Sequence, residues 1–211
     1  MRPPGKLPWG VPSDVELLTA WRAGDKPAGE ALFDRHFAAV NRFFRNKAGD
    51  DLGDLVQRTF LTVLEARQDF RGEGSFRGYL LGIAYNVLRH HYRDRQVGRA
   101  IDVETVSLAD VAARPSEMLA ARREHRRLLE ALRMVPLEHQ SLLELYYWES
   151  MSASEIGEVL GVPEGTVRTR LRRAKQLLEE RLTQLIEDRT VLATTLACLD
   201  DWAREIRAAL D

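Results

Sequence analysis

The chain has 211 residues, of which 45% are hydrophobic and 30% are charged, and its formal net charge is −1. This balance excludes a disordered chain and fits a soluble protein of one domain or two small ones. No stretch approaches the roughly 20 consecutive apolar residues of a membrane span, and the first ten residues carry Pro and Gly where a signal peptide needs its apolar segment. We therefore expect a cytoplasmic protein. The single cysteine, Cys198, excludes a disulfide within the chain.

The small net charge hides a segregated charge pattern. Basic side chains are concentrated in residues 89–99 and 168–175, whereas acidic side chains dominate residues 50–54 and the tail after Glu187. Segregation of this kind predicts separate surfaces for an anionic partner and a basic partner.

Helical periodicity of apolar residues dominates the first half of the chain, without the sustained alternation of an exposed strand. After a disordered start over residues 1–12, Ser13 or Asp14 is expected to cap a first helix. Pro27 opens a second helix, a third begins near Asp51, and a fourth covers 76–95 after a loop with two glycines. The stripe of the second helix is expected to face a core and consists of Ala31, Leu32, Phe33, Phe37, Val40 and Phe44. The first helix carries Val15, Leu17, Leu18 and Trp21, and the third carries Leu55, Val56, Phe60, Leu61 and Leu64.

A loss of periodicity marks a boundary between two domains. Residues 97–115 are rich in small and polar side chains and end in proline, which predicts a flexible linker. It separates a first domain over 13–96 from a second over 116–185, and an amphipathic extension follows over 186–211. The predicted fold is all-α, with two small helical domains joined by the linker and a C-terminal helical extension.

The second domain contains the pattern of a helix-turn-helix. A short helix over 152–160 precedes a turn at Gly161 and Val162, and a second helix begins near Pro163. Gly161 gives the turn a left-handed conformation, and the second helix is expected in the major groove of DNA. The apolar residues that lock the two helices together are Ile156, Leu160, Val162, Val167 and Leu171. The residues expected to reach base edges or phosphates are Glu164, Thr166, Arg168, Thr169, Arg172 and Arg173. The alternative is an amphipathic helix whose arginines form a solvated face.

Two segments carry a resemblance to a known family. SEIGEVLGVPEGTVRTRLRRAK, residues 154–175, resembles the fourth conserved region of extracytoplasmic-function sigma factors, which belong to the sigma-70 family. DLVQRTFLTVLEA at 54–66, followed by FRGEGSFRGYLLGIAYNVLRHHYRDR at 70–95, resembles the second conserved region. The two regions stand in the family's order, and the resemblance covers about residues 14–185. It implies a sigma factor that binds core RNA polymerase and directs promoter-specific transcription initiation.

The resemblance also assigns roles to the first domain. In the family, the helix matching residues 54–60 docks on a coiled coil of the largest polymerase subunit, which implies core-polymerase contacts at Asp51, Asp54 and Gln57. Asp51 has the alternative role of favouring a helix amino terminus.

A second implied surface binds the minus-ten promoter element. The segment matching 70–86 holds a flipped-out base in the family, and Asn86 with Phe70 or Phe76 could provide a hydrogen-bonding and stacking pocket. Phe76 has the alternative role of a core side chain. The arginines expected to contact the DNA backbone are Arg71, Arg77, Arg89 and Arg93.

Other functions have weaker support in the sequence. The chain lacks a phosphate-binding loop, an HExxH pair and clustered Cys or His ligands, so no catalytic residue, metal or cofactor is expected. A stand-alone helix-turn-helix regulator is the alternative, but it would not need a polymerase-docking helix. An anti-sigma factor is a further partner that the resemblance allows. The apolar stripe of the tail either extends the core or covers the second helix of the helix-turn-helix.

Overall fold

The computed structural model describes residues 11–68, 70, 74–95, 107, 123–199, 201 and 204–205. The predicted all-α fold is confirmed: the residues in these ranges form helices and connecting loops, with no strand beyond a single bridge between Ser107 and Pro136. The helices are α1 (Asp14–Arg22), α2 (Lys26–Arg45), α3 (Leu52–Glu65), α4 (Phe76–Arg95), α5 (Arg123–Arg133), α6 (Leu137–Tyr147), α7 (Ala153–Leu160), α8 (Glu164–Leu185) and α9 (Arg189–Ala197). The predicted linker over 97–115, except Ser107, and the start of the chain up to residue 10 lie outside the described residues.

Local signals in the sequence start the first helices where they were predicted. Ser13 caps α1 in a capping box, in which its hydroxyl accepts from the Glu16 backbone N–H and the Glu16 carboxylate accepts from the Ser13 N–H. Asp25 caps α2, and Pro27 lies in its first turn, where a missing N–H costs nothing. A short 3-10 turn over Gly49–Asp51 leads into α3.

The core of the first domain forms where α1 to α4 meet. Its fully buried side chains include Leu32, Val40, Phe44, Leu80 and Leu88. Two residues of the stripe that we expected to face this core are instead exposed, Ala31 and Phe37, the latter by 50%. Apolar residues of the neighbouring helices are exposed as well: Val15 by 66%, Leu61 by 49% and Leu64 by 40%. The apolar stripes on these helices are wider than the faces that the domain can cover.

A buried histidine predicts that the stability of this domain depends on pH. His36 is buried against Phe76, and its Nε2 lies 2.8 Å from Asp14 Oδ2. Burial lowers the pKa of His36 below its ordinary value of 6.5, although Asp14 opposes the shift. The unfolded chain therefore binds the proton first as the pH falls, and protonation favours unfolding.

We predict that the free energy of unfolding decreases as the pH drops below about 6.5. The decrease should be smaller in His36→Gln, because glutamine does not titrate. Urea unfolding at pH values between 7.5 and 5.5 measures the free energy of unfolding of the wild type and of the variant. An identical pH slope in the variant would contradict the assignment to His36.

The second domain packs α5, α6 and α8 around fully buried apolar side chains such as Leu129, Leu142, Leu145 and Leu182. The C-terminal extension begins with α9, which Asp188 caps through bonds from the N–H groups of Thr190 and Val191. Its residues packed against the core are Val191, Leu192, Leu196 and Leu199. The described part of the tail thus extends the core, whereas Trp202, Ile206 and Leu210 lie outside the described residues.

The two domains contact each other directly. Helix α7 of the second domain lies against α4 of the first, and α6 approaches α2. Gly82 on α4 faces the backbone of Val159 on α7, where an added Cβ atom would lie 3.3 Å from the Val159 carbonyl oxygen. This contact brings buried charged groups of both domains together.

Candidate nucleic-acid and protein interfaces

The predicted helix-turn-helix is confirmed in the second domain. Ser152 caps α7 in a capping box with Glu155, and the hydrogen bonds from Ser152 lower the pKa of that carboxyl. Gly161 ends α7 with φ 67°, a left-handed conformation that favours glycine. The chain then turns back so closely that the Val162 N–H donates to the Gly157 carbonyl at 3.0 Å. Pro163 precedes α8, the recognition helix.

Most of the predicted DNA-contacting residues on α8 are exposed. Arg168 keeps 73% of its side chain exposed and Arg173 keeps 56%, and Glu164, Thr169 and Arg172 are exposed as well. Thr166 is half-buried. These exposures hold with α9 in place, so the described part of the tail does not cover the recognition helix.

The predicted residues occupy two neighbouring faces of α8. Glu164, Arg168 and Arg172 recur every four positions, and Arg168 donates to the Glu164 carboxylate at 2.6 Å and 3.0 Å. Thr169 and Arg173 form the adjacent face, where Arg173 lies 3.6 Å from Glu180. Both arginines therefore carry an acidic partner in the same helix while remaining accessible to solvent.

A groove beside the recognition helix adds residues that the sequence prediction missed. It is lined by Tyr146 of α6, by the start of α7 at Ser152, and by Arg168, Arg172 and Lys175 of α8. The Lys175 ammonium lies 5.0 Å from the ring centre of Tyr146 and 5.1 Å from that of Tyr147. Its position seven residues after Arg168 places it on the same helical face, so the spacing could have identified it.

One arginine of the predicted basic run points elsewhere. Arg170 is half-buried and bonds to Glu138 at the start of α6. It holds the recognition helix to its own domain, so the run of four arginines at 168–173 overstates the charge that faces a partner.

The first domain presents a second basic surface on α4. Asn86, Arg89 and Arg93 are exposed and lie on one face of the helix. The Arg89 guanidinium lies 5.8 Å from the ring centre of Tyr85, and Arg93 lies 2.5 Å from the ring nitrogen of His90. The structure therefore brings together three of the seven residues predicted for the minus-ten element.

The other predicted residues are located differently. Phe70 and Phe76 are buried and meet edge to face at 5.8 Å, which fits the alternative of a core role for Phe76. Arg77 precedes Asn86 by nine positions, about two and a half helical turns, and so lies on the opposite side of α4. Its guanidinium bonds to the Glu149 carboxylate of the second domain. Arg71 lies outside the described residues.

Helix α3 presents a mixed acidic and apolar surface. Asp54, Gln57, Leu61 and Leu64 recur three or four residues apart and are all exposed on one face. The half-exposed ring of Phe37 on α2 stacks on Phe60 at 6.1 Å beside this face. Acidic groups next to exposed leucines suit a protein partner that offers basic and apolar side chains.

Asp51 stands apart from that face. It is half-buried at the N-cap position of α3 and makes no side-chain capping bond. Its carboxylate lies 3.7 Å from the Nε2 atom of His91 on α4. This contact favours a structural role, which joins the start of α3 to the carboxyl end of α4.

Two negative observations concern the described residues alone. No helix among them is long and apolar enough to cross a membrane. Their His, Cys, Asp and Glu side chains form no cluster of three that could hold a metal ion.

Comparison with known proteins places both domains in one family. Residues 32–97 match the model of sigma-70 region 2, and residues 125–178 match that of sigma-70 region 4. The chain is 32% identical over 187 residues to the ECF RNA polymerase sigma factor SigE of Mycolicibacterium smegmatis, covering 83% of this chain and 72% of the relative.

Two solved structures are similar to this chain in fold. The structure of CnrH in complex with the cytosolic domain of CnrY has a TM-score of 0.63 and 26% identity, over 81% of this chain and 97% of that one. The sigma factor RpoE from Bartonella quintana, in complex with the anti-sigma factor NepR, has a TM-score of 0.58 and 21% identity, over 73% of this chain and 96% of that one.

Proposed function

The chain belongs to the extracytoplasmic-function sigma factors of the sigma-70 family, and from that premise we propose a function for each of its surfaces. As a sigma factor, the protein binds core RNA polymerase and directs promoter-specific transcription initiation. The members of this family are non-catalytic initiation factors, and we propose that this chain performs no covalent chemistry. We further propose that it acts in the cytoplasm, where bacterial transcription takes place.

The recognition helix α8 is proposed to read the minus-thirty-five element in the major groove. Glu164, Arg168 and Arg172 form the face next to the groove, and Thr169 and Arg173 form the adjacent one. Lys175 joins the first face through its contacts with the two tyrosines. The positively charged side chains along this groove suit contacts with DNA phosphates. The arginines among them can also bind base edges.

The exposed face of α4 is proposed to bind the minus-ten element. Asn86 supplies amide hydrogen bonds for a base, and Arg89 and Arg93 supply positive charge for the backbone. Phe70 and Phe76 are buried in the core and do not belong to this exposed face.

The exposed face of α3 is proposed to dock on core polymerase through Asp54 and Gln57, with Leu61 and Leu64 as apolar contacts. The observation that carries the proposed function is the coexistence of this docking face with a helix-turn-helix in one chain. A stand-alone regulator has no need of the docking face.

The test is co-elution of the purified chain with bacterial core RNA polymerase on gel filtration. A stable complex is the expected result. Absence of a complex, with full DNA binding retained, would favour a stand-alone regulator.

A substitution on the recognition helix tests the DNA contact. We predict that Arg172→Ala weakens binding to a minus-thirty-five duplex by about 1–3 kcal/mol, roughly 5- to 150-fold, because an exposed guanidinium that is proposed to contact DNA is lost. The control is Lys26→Ala, which removes one exposed positive charge from the first domain. Fluorescence anisotropy with a labelled duplex measures the DNA affinity of both variants. Equal affinities of the two variants would contradict the assignment of Arg172.

An anti-sigma factor is a further proposed partner. The structurally similar RpoE was solved bound to such a factor. A protein that covered the α3 face or the recognition helix would block either polymerase or promoter binding.

A further inference from the structure

The amino-terminal tip of the recognition helix carries an ion pair that is exposed to solvent. Glu164 is the first residue of α8, and Arg168 follows one helical turn later. The Glu164 side chain is 45% exposed and the Arg168 side chain is 73% exposed. Because so exposed an ion pair adds little to the stability of a fold, stability does not account for the pairing.

The geometry of the pair engages only part of each side chain. Arg168 Nε and Nη2 both donate to the same oxygen, Glu164 Oε1, at 3.0 Å and 2.6 Å. Among the hydrogen bonds of the described residues, Glu164 Oε2 accepts none and Arg168 Nη1 donates none. The second carboxylate oxygen and the outer N–H groups of the guanidinium therefore remain for a partner, side by side on one face of α8.

Arg170 and Arg173 of the same helix also have acidic partners, but those pairs lie elsewhere. Arg170 bonds to Glu138, which is buried at the start of α6. Arg173 lies 3.6 Å from Glu180, which follows it by seven positions and is therefore further from the tip. In a helix-turn-helix, the amino-terminal residues of the recognition helix are those that reach base edges in the major groove. The pair at the tip of α8 is therefore the one placed to read a base.

A carboxylate at this tip restricts what α8 can bind. DNA phosphates repel it, so the interface is favourable only where a hydrogen-bond donor of a base faces Glu164. In the major groove these donors are the N4 amino group of cytosine and the N6 amino group of adenine. Adenine carries the N7 acceptor beside its amino group, which would repel a carboxylate, whereas cytosine offers the donor alone. Glu164 therefore suits cytosine.

The guanidinium beside this carboxylate suits the base that pairs with cytosine. Guanine presents its O6 and N7 acceptors in the major groove, and arginine is their commonest specific partner. Within a C·G pair these acceptors lie next to the cytosine amino group, and Arg168 in turn lies next to Glu164. The acceptor and the donors of the helix thus match the donor and the acceptors of one base pair.

We propose that Glu164 and Arg168 act together as the reader of a single C·G base pair in the minus-thirty-five element. Glu164 Oε2 accepts from the cytosine amino group, and Arg168 donates to the O6 and N7 atoms of guanine. The bonds between the two side chains hold the guanidinium in place, so Glu164 selects cytosine and also positions Arg168. This inference rests on the proposed function of α8.

Glu164 has a structural alternative, because an acidic residue in the first turn of a helix interacts favourably with the helix dipole. In that role Glu164 would affect the stability of α8 and the affinity for every DNA sequence alike. Base preference separates the two roles, since only contacts with base edges change which sequence is preferred.

Selection from a library of duplexes with randomised positions measures the base preference, both for the full chain alone and for the chain bound to core polymerase. The wild type should favour a C·G pair at one fixed position by roughly 5- to 150-fold over other pairs. Glu164→Gln should shift this position towards adenine, because glutamine pairs with the N6 and N7 atoms of adenine. Arg168→Ala should lose the guanine preference at the same base pair and keep the preferences at other positions.

The control is Glu179→Gln, which removes an exposed carboxylate from the same helix and should leave the C·G preference unchanged. An unchanged C·G preference in Glu164→Gln would overturn the proposal. Selection of no sequence by the wild type, alone and with polymerase, would overturn it as well.

Gel filtration with core polymerase separates failure of this inference from failure of the proposed function. If the wild type binds polymerase but Glu164→Gln keeps the C·G preference, the base assignment is wrong and the polymerase-binding function stands. If the wild type selects C·G and Glu164→Gln shifts the preference, but no polymerase complex forms, the base assignment stands and the proposed function is contradicted.

Discussion

Gly157→Ala should destabilise the helix-turn-helix and abolish measurable binding to the minus-thirty-five duplex. An added Cβ atom at Gly157 would lie 2.7 Å from the Val162 carbonyl oxygen, a distance that real Cβ atoms do not adopt. The obstructing atom is backbone in the turn that ends α7, so it cannot move aside like a flexible side chain. Overpacking of this kind lowers the free energy of unfolding by about 1–3 kcal/mol. A backbone shift that relieved the clash would displace α8 from α7.

Two other glycines of the motif provide a graded comparison. An added Cβ atom at Gly161 meets no atom within 4 Å, but the backbone there has a left-handed φ of 67°. Gly161→Ala should therefore lower the free energy of unfolding by about 1–2 kcal/mol. Gly165→Ala also meets open space, in the first turn of α8, and should be neutral or slightly stabilising. Thermal unfolding should rank the three variants with Gly157→Ala lowest. Equal stability of Gly157→Ala and Gly165→Ala would show that the turn and α7 are not packed as described.

Loss of the α3 docking face should have the second large effect. The double variant Asp54→Ala with Leu61→Ala removes one exposed carboxylate and one half-exposed apolar side chain from the same helical face. Truncation of interface hot spots costs 2 kcal/mol or more, so we expect affinity for core polymerase to fall by roughly thirtyfold or more. Both residues are exposed, so the free energy of unfolding should change by about 0.5 kcal/mol or less per site.

A matched control removes the same kinds of group elsewhere. Val15→Ala with Glu179→Ala deletes an exposed apolar side chain and an exposed carboxylate far from α3 in sequence. Titration of labelled protein with core polymerase should give wild-type affinity for this control. If both double variants bound equally well, the docking surface would have to lie elsewhere.

Much of the fold was predictable from local chemistry. Ser13, Asp25 and Ser152 cap helices, and Gly161 ends α7, because these residue types satisfy helix ends by contacts within a few positions. The exposed positions of Arg168 and Arg172 follow from the same periodicity that buries Val167 and Leu171.

Contacts between distant parts of the chain were less accessible to prediction. The periodicity that identifies a helix cannot say how wide a face the rest of the domain will cover. Phe37 was therefore expected to face the core and is half-exposed, and Leu61 and Leu64 of the apolar pattern on α3 are exposed as well. Arg77 carries a basic side chain in a segment resembling a DNA-binding region, but its partner Glu149 lies 72 positions further along the chain. Its engagement depends on tertiary packing that no local pattern encodes.

Run-off transcription with core RNA polymerase measures whether this chain directs transcription initiation. The purified chain is added to core polymerase on a library of genomic fragments, and the 5′ ends of the transcripts are mapped. A sigma factor should produce new, sequence-specific starts that share two spaced elements and that disappear with Asp54→Ala/Leu61→Ala. Core polymerase that gains no specific starts from a folded, DNA-binding chain would contradict this function.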